Sequence, residues 1–376
     1  MSKNSTKHPS KKQDNDQQRS LFVSGACAFS VYLILLGTLS FSNIFSVQYS
    51  RADFQAKSAT ASTTPTEGTT ATVPVVMPLD TVAYDAKMLS LANYASTTSS
   101  TTARLWPTKA PYPLAGALLP FHRIVAYYGN FYSTKMGVLG KYPPAQMIPM
   151  LQAAAAKWQA ADPSTPVIPA IDYIAITAQG SPGADGKYRF RMPASQIQEA
   201  LDLAAQVHGI VILDIQVGLS SVQTEVPLLE PYLKLPNVEL ALDPEFDMKT
   251  GAKPGTVIGT MSSSDINFAA NYLAKLVQEN NLPPKILVVH RFTEHMVTGY
   301  QNINPLPEVQ IVMDMDGWGS PAKKINTFTQ FVHNEPIQFA GFKLFYVNDL
   351  KPPSTRMLTP AEVLKLSPQP LFIQYQ

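Results

Sequence analysis

"VELALDPEFD", residues 238–247, joins a short apolar run to two closely spaced carboxylates, Asp243 and Glu245. Successive side chains of a β-strand point to opposite faces, so a run that is apolar at most positions is buried on both faces. Strands of this type are typical of a parallel sheet that is covered by helices. In such a strand Asp243 and Glu245, two positions apart, would point to the same face where the chain leaves the core.

Runs of this type recur along residues 121–376, with helical patterns between them. The predicted strands are 123–129, 166–176, 209–216, 238–245, 285–291, 309–316, 341–348 and 371–376. The helical patterns are strong at 143–162, 192–209 and 262–281, and weaker at 221–235, 293–303, 320–333 and 360–366. Eight strand–helix units in about 250 residues predict an α/β fold, a (β/α)8 TIM-type barrel. The alternative is a doubly wound open sheet, but the first strand leads into "YYGNFY" (127–132) and lacks the glycine-rich turn of that fold.

The N-terminal part of the chain has the composition of a membrane anchor. Residues 21–47 contain no charged side chain, and this run is longer than the ~20 apolar residues that span a bilayer as a helix. Residues 1–20 form a basic tail, which predicts a cytoplasmic N-terminus, a single-pass transmembrane signal-anchor at 21–47 and an extracytoplasmic remainder. The alternatives are a cleaved signal peptide, which would give a secreted protein, and a buried soluble helix.

Charge and cysteine content exclude several classes of protein. The formal net charge of the 376 residues is +2: residues 1–20 carry +3 and the rest of the chain −1, so the rest gives no electrostatic reason to expect a nucleic-acid partner. The single cysteine, Cys27, lies inside the apolar run, which excludes an intrachain disulfide and a thiolate metal cluster. The oligomeric state stays open.

Two stretches rich in serine and threonine, 58–72 and 96–103, follow the apolar run. Segments of this composition cannot bury enough apolar surface to fold. Residues 48–118 are therefore predicted to be a disordered stalk, with one short helix in "YDAKMLSLANYA" (84–95), and residues 119–376 to be the barrel domain.

Polar side chains follow nearly every predicted strand. The active site of a (β/α)8 barrel lies at the carboxyl ends of its strands, so these side chains are the candidates for a site. Ordinary strand ends are also polar, but the number of acids here favours a functional cluster. The predicted substrate-binding residues are Tyr128, Asn130, Asp172, Gln216, His290, Asp316, Trp318, Tyr346 and Gln374.

The acids predict glycoside hydrolysis. Two neighbouring carboxylates repel, so that one keeps its proton near neutral pH, and a protonated carboxyl beside an ionised one is the requirement of that reaction. Glu245 is the candidate general acid and Asp243 would modulate its pKa. Asp214 or Asp314 would be the second carboxylate. The glycine-containing segment 246–261 is a candidate lid.

Two resemblances accompany these patterns. The stretches "IVAYYGN", "GVLGKYPP", "LDIQVG", "LALDPEF", "VVHRFTEHM", "DGWGSPA", "FAGFKLFYVND" and "FIQYQ" resemble a family of uncharacterised exported bacterial barrel proteins over almost the whole of 121–376. Asp243-Pro244-Glu245 resembles the end of the D-x-D-x-E motif of chitinase-like glycosidases, although Ala241 stands where that motif has its preceding acid. In Met313-Asp314-Met315-Asp316, Met315 stands where the M-x-Y-D motif of that family has tyrosine. The second resemblance implies carboxylate chemistry on a sugar.

Other chemistries have less support. The first strand lacks the H-x-H of metal-dependent barrel hydrolases. His290 with Asp314 or Glu245 could hold one divalent ion, but a positioning role is favoured, so no metal and no cofactor are expected. Serine-nucleophile, Walker and dinucleotide motifs are missing. The sequence thus predicts glycoside-hydrolase-like action on a cell-envelope or environmental polysaccharide. A carbohydrate- or envelope-binding barrel without catalysis is the alternative, and an envelope scaffold is the least favoured.

Overall fold

The computed structural model describes residues 78–94 and 104–376. Eight strands of this part form a barrel: β1 Arg123–Gly129, β2 Val167–Ala178, β3 Ile210–Ile215, β4 Val238–Leu242, β5 Lys285–Arg291, β6 Val309–Met315, β7 Phe339–Leu344 and β8 Phe372–Tyr375. Each pairs in parallel with its neighbours, and β8 pairs with β1 to close the barrel. The predicted eight-stranded parallel barrel with surrounding helices is confirmed.

The longer helices are α1 Thr81–Ala92, α2 Pro144–Ala161, α3 Ala194–Gln206, α4 Ser263–Asn280 and α5 Pro321–Phe328. α4 begins with a capping box between Ser262 and Asp265 and ends at Asn281, which adopts the left-handed conformation that stops a helix. α5 continues into a π-helical turn, Thr329–His333. The three strong helical predictions are confirmed to within a few residues.

Short elements complete the fold. Four-residue helical turns lie at Val138–Lys141, Val222–Glu225, Glu230–Leu233 and Pro360–Val363, and 3₁₀ turns at Val226–Leu229, Pro244–Phe246, Glu294–Met296, Tyr300–Asn302 and Asn348–Leu350. Arg189–Arg191 adds an antiparallel strand to β2, and Met261–Ser262 pairs with Val297–Thr298. The weak helical predictions at 221–235 and 293–303 therefore become short turns. In the first of these, Pro227 and Pro231 interrupt the backbone hydrogen bonding of a longer helix.

The strands divide the core into two layers. Side chains on the outer face pack against the helices, as Val125, Ile171 and Leu213 do. Side chains on the inner face form a separate apolar cluster at the amino-terminal end of the barrel, to which Ile124, Ile212, Ala241, Val288, Val312 and Phe372 belong. The inner face thus supplies a dry base below the carboxyl ends of the strands.

Helix α1 closes this base. Its buried Tyr84, Met88 and Leu91 belong to the inner cluster together with Leu119. Trp106 is also buried, and its indole N–H donates to the carbonyl of His333 at 2.9 Å. Except for Leu119, these residues fall within the range predicted as a stalk, so part of that range packs against the barrel.

The basic tail, the predicted signal-anchor at 21–47 and the remaining stalk residues lie outside the described residues. Within the described ranges, 78–94 and 104–376, the helices are all too short or too polar to cross a membrane.

Candidate active site

Each barrel strand, or the first residue after it, provides one polar side chain on the inner face near the carboxyl end of the barrel. Each follows, two positions later, a residue of the inner face, because side chains alternate along a strand. We call this set the polar ring: Tyr128, Asp172, Asp214, Asp243, His290, Asp314, Lys343 and Gln374. All eight are at most 4% exposed, and Asp243 comes from the first position after β4. The structure therefore brings together the predicted residues Tyr128, Asp172, Asp214, Asp243, His290, Asp314 and Gln374.

His290 is at the centre of the ring. Its Nε2 donates to Asp214 at 2.8 Å and its Nδ1 to Asp314 at 3.0 Å. Burial alone would lower the pKa of His290, but the hydrogen bonds to these two carboxylates hold its pKa well above the usual value. The imidazole is therefore a cation that uses both N–H groups, which leaves no lone pair for a metal ion.

Lys343 is the second cation of the ring, and the sequence patterns did not single it out. Its ammonium lies 3.1 Å from Asp316 and 3.8 Å from the centre of the Tyr128 ring. Burial lowers the pKa of Lys343, but Asp316, Asp243 and Asp314 together raise it above its ordinary value. A signal was available: Lys343 is two positions after Gly341, whose missing side chain makes room for Asp314.

Asp243 caps the 3₁₀ turn Pro244–Phe246 and Glu245 lies within that turn, so both acids follow β4 and do not lie in the strand as predicted. β4 ends at Leu242 because Pro244 has no N–H for a further ladder bond. Asp243 Oδ1 accepts from the backbone N–H of Glu245 at 3.1 Å, and Asp243 Oδ2 accepts from Gln216 at 3.0 Å. The turn therefore fixes the two acids relative to each other.

Both acids hold protons unusually tightly. Burial, followed by the charge of Asp214, raises the pKa of Asp243 to about 7. Burial, followed by the charge of Asp243, raises the pKa of Glu245 to about 8. Glu245 is partly exposed, whereas Asp243 is 2% exposed. At neutral pH the carboxyl of the partly exposed Glu245 is thus mostly protonated.

Gln216 extends the ring, and a further hydrogen bond joins two of its members, Asp172 and Gln374. Gln216 also donates to Tyr128 at 3.3 Å and accepts from the N–H of Ala178 at 3.1 Å. Asp172 accepts from Gln374 at 2.5 Å, and burial together with Asp214 raises the pKa of Asp172 well above its usual value.

The structure places three predicted residues elsewhere. Asn130 is a buried turn residue whose amide donates to the carbonyl of Ile174 at 2.9 Å. Tyr346 lies on the outer face of the barrel and stacks on Tyr375. Trp318 lies on the rim after β6 and is 41% exposed, two residues beyond Asp316.

Cavities of 350 Å³ and 260 Å³ lie at the segment that follows β1, and both are lined by Lys141 and Tyr142. Neither is lined by a residue of the polar ring. Throughout the described ranges, histidine, cysteine, aspartate and glutamate side chains do not gather in threes that could hold a metal ion.

The comparisons with known proteins add weak structural resemblances. No family model and no curated protein matches the chain. A "GH5-4 broad specificity endoglucanase from an uncultured bovine rumen ciliate" has 10% sequence identity and a TM-score of 0.30, over 55% of this chain and 72% of that chain. A "GH18 chitinase from Pseudoalteromonas aurantia" has 14% identity and a TM-score of 0.23, over 61% and 69%. The chain thus weakly resembles glycoside hydrolase barrels, and at these scores the resemblance does not assign a reaction.

Proposed function

We propose that the barrel hydrolyses a glycosidic bond and that Glu245 is the proton donor. The observation that carries the proposal is the position of Glu245, partly exposed on a fixed turn above the ring, with a pKa of about 8. A general acid must hold its proton at working pH and must reach solvent, where the substrate arrives. Glu245 meets both requirements.

The second carboxylate is Asp316. Asp214 and Asp314 are fully buried and engaged with His290, so their role is to position that cation and not to contact a substrate. Asp316 is 8% exposed and lies against the ammonium of Lys343, which balances its negative charge. A protonated Glu245 and the carboxyl group of Asp316, paired with Lys343, would supply the two carboxyl groups that glycoside hydrolysis requires.

The reaction adds one water across the bond. The glycosidic C–O bond breaks as Glu245 gives its proton to the leaving oxygen. The anomeric carbon receives the oxygen of water, whose proton returns to a carboxylate of the pair. Asp316 lies where it would face the positive charge that develops on the sugar. Asp243, linked to the turn by the N–H of Glu245, raises the pKa of the acid.

The test is glycan release by the full-length chain on a panel of polysaccharides, comparing wild type with Glu245→Gln and Asp316→Asn. We expect each substitution to reduce the rate by about 10² to 10⁴, the usual worth of a positioned acid or base. Glu279→Gln, an exposed carboxylate on α4, is the matched control and should leave the rate unchanged. Binding by wild type and Glu245→Gln with no release by either would refute hydrolysis and indicate a carbohydrate-binding barrel.

The location of this activity is a separate proposal. We propose that residues 21–47 anchor the protein in the membrane with the barrel on the extracytoplasmic side, since this run is free of charged side chains and follows a basic tail. Retention of the full-length chain in membranes after alkaline extraction would support the anchor, and release would contradict it.

A further inference from the structure

An exposed indole with two cations lies beside the proposed catalytic pair. Trp318 follows Asp316 by two residues and is 41% exposed. The ammonium of Lys323 lies 5.0 Å from the centre of the Trp318 ring, and that of Lys351 lies 5.4 Å from it. Both lysines are exposed, and neither amine has a carboxylate within 4 Å among the described residues. Large exposed aromatic side chains next to a site are typical of ligand contacts.

The backbone under Trp318 is held firmly. The N–H of Gly319 donates to Asp349 at 3.0 Å, and Asp349 is paired with the buried amine of Lys324 at 2.8 Å. Lys324 also donates to the carbonyl of Lys343, a residue of the polar ring, at 2.7 Å. Gly319 has a φ of +137°, and a Cβ there would lie 2.9 Å from the side chain of Lys323. These contacts fix the backbone that carries Trp318 and Lys323, so little ordering of this loop is needed when a ligand binds.

The cationic surface continues past Trp318. The segment that carries Lys351 also provides Val347 and Asn348, which line the 260 Å³ cavity. Lys135 and Lys141 line the same cavity, are exposed, and have no carboxylate within 4 Å among the residues described. The folded part of the chain has almost no net charge, so four unpaired lysines along one sector of the rim are a local feature. We call Trp318, Lys323, Lys351, Lys135 and Lys141 the cationic sector.

We propose that the substrate is an anionic polysaccharide whose sugars carry carboxylates, and that the cationic sector binds it with one sugar stacked on Trp318. That the bound polysaccharide is a substrate rests on the proposed hydrolysis, whereas its binding does not depend on that reaction. The apolar face of a sugar ring packs against the exposed part of the indole, and the sugar's carboxylate then lies near the ammonium groups of Lys323 and Lys351. A neutral sugar would contact the indole but would give the lysines no negative charge to bind.

The experiment measures binding of the full-length chain to polygalacturonate, alginate and hyaluronan, each beside its carboxyl-methylated form. Methylation removes the charge and keeps the backbone, so each pair isolates the electrostatic contribution. We expect wild type to bind at least one charged polymer about tenfold more tightly than its methyl ester, and this difference to shrink at high salt. Trp318→Ala should weaken binding of that polymer by about tenfold or more.

The double variant Lys323→Gln, Lys351→Gln tests the lysines. It should weaken binding of the charged polymer by about tenfold and leave binding of the methyl ester unchanged. Lys157→Gln, an exposed lysine on α2 outside the cationic sector, is the control for net charge and should bind like wild type. Equal binding of charged and methylated polymers by wild type would overturn the proposal, as would a double variant that binds like wild type.

The outcome is separable from the proposed reaction. Charge-selective binding that Glu245→Gln retains, with no release by wild type, would support the cationic sector and refute hydrolysis. Release from neutral polymers, without preference for charge and without effect of the lysine substitutions, would support hydrolysis and refute the cationic sector.

Discussion

Replacing Asp247 by asparagine is expected to stabilise the protein, and to do so more strongly as pH rises. Asp247 lies two residues beyond Glu245 and is 2% exposed. Its nearest cation is the amine of Lys249, 3.8 Å from Oδ2. Burial raises the pKa of Asp247 to about 7, with Lys249 opposing the shift and Asp265 adding to it. Because the folded pKa exceeds the unfolded value of 3.8, the folded state binds the proton more tightly.

The magnitude follows from this shift. Below pH 4 the carboxyl is protonated in both states and contributes nothing. Between pH 4 and 7 the unfolded state ionises first, so the free energy of unfolding falls by about 1.4 kcal/mol per pH unit. The whole shift, about three units, corresponds to an upper limit of about 4 kcal/mol. Asparagine does not titrate, so the Asp247→Asn variant should gain up to that amount at pH 8 and almost nothing at pH 4.

Urea unfolding of the full-length chain, followed by fluorescence of the buried Trp106 and Trp158, measures the difference. Asp265→Asn is a control with the opposite sign. Burial would raise the pKa of Asp265, but hydrogen bonds from Gln223, Lys249 and Ser262 lower it to about 2. That variant should lose about 2 kcal/mol at pH 7, and the loss should vanish as pH falls from 4 to 2. A stability gain of Asp247→Asn that does not change with pH would refute the reasoning.

Three other perturbations have defined outcomes. Asp349→Ala leaves the buried amine of Lys324 without a carboxylate and should lower the free energy of unfolding by about 3–5 kcal/mol, measured by urea unfolding; a loss below about 1 kcal/mol would contradict this role. If Glu245 is the proton donor, glycan release should decline above pH about 8, where its carboxyl ionises, and a pH–rate profile without that limb would exclude it. His290→Gln leaves two buried carboxylates without a cation and should cost about 3 kcal/mol at pH 7. Because the pKa of folded His290 is raised, the stability from its charge is fully present below about pH 6.5 and is lost as pH rises through the folded pKa, so the loss should be larger at pH 6 than at pH 9; equal losses at both values would argue against a charged His290.

The barrel could be predicted because each strand is apolar on both faces, a pattern that few other folds produce. The ends of the strands were harder to predict. Pro244 ends β4 early and moves Asp243 and Glu245 from a strand into a turn. The docking of α1 under the barrel has no local signal, since a short helix flanked by serine and threonine stretches gains its stability only from tertiary contacts.

The positions of some site residues could likewise be predicted from the sequence, and those of others could not. Asp214, His290 and Asp314 lie inside strands, where alternation from an apolar inner-face residue predicts their direction. Asn130 has the same parity as Tyr128, but Gly129 between them has a φ of +148° and turns the chain out of the barrel. Tyr346 lies two positions after Leu344, an outer-face residue, so side-chain alternation predicts the outer face for Tyr346. The same alternation, counted from Gly341 on the inner face, predicts that Lys343 points into the barrel.

The polar ring has an energetic cost that argues for a chemical role. Asp172 Oδ1, Asp214 Oδ1, Asp314 Oδ1 and Gln374 Oε1 are buried and accept no hydrogen bond from the described residues. A buried polar atom without a partner costs about 1–3 kcal/mol, and buried ion pairs can often be replaced by apolar side chains without loss of stability. The inner face below the ring is such an apolar arrangement, so apolar side chains could also fill the carboxyl end of the barrel. Its carboxyl end instead holds two cations among a larger number of acids. Burial, together with the charge of the neighbouring acids Asp243 and Asp316, keeps Glu245 protonated at neutral pH.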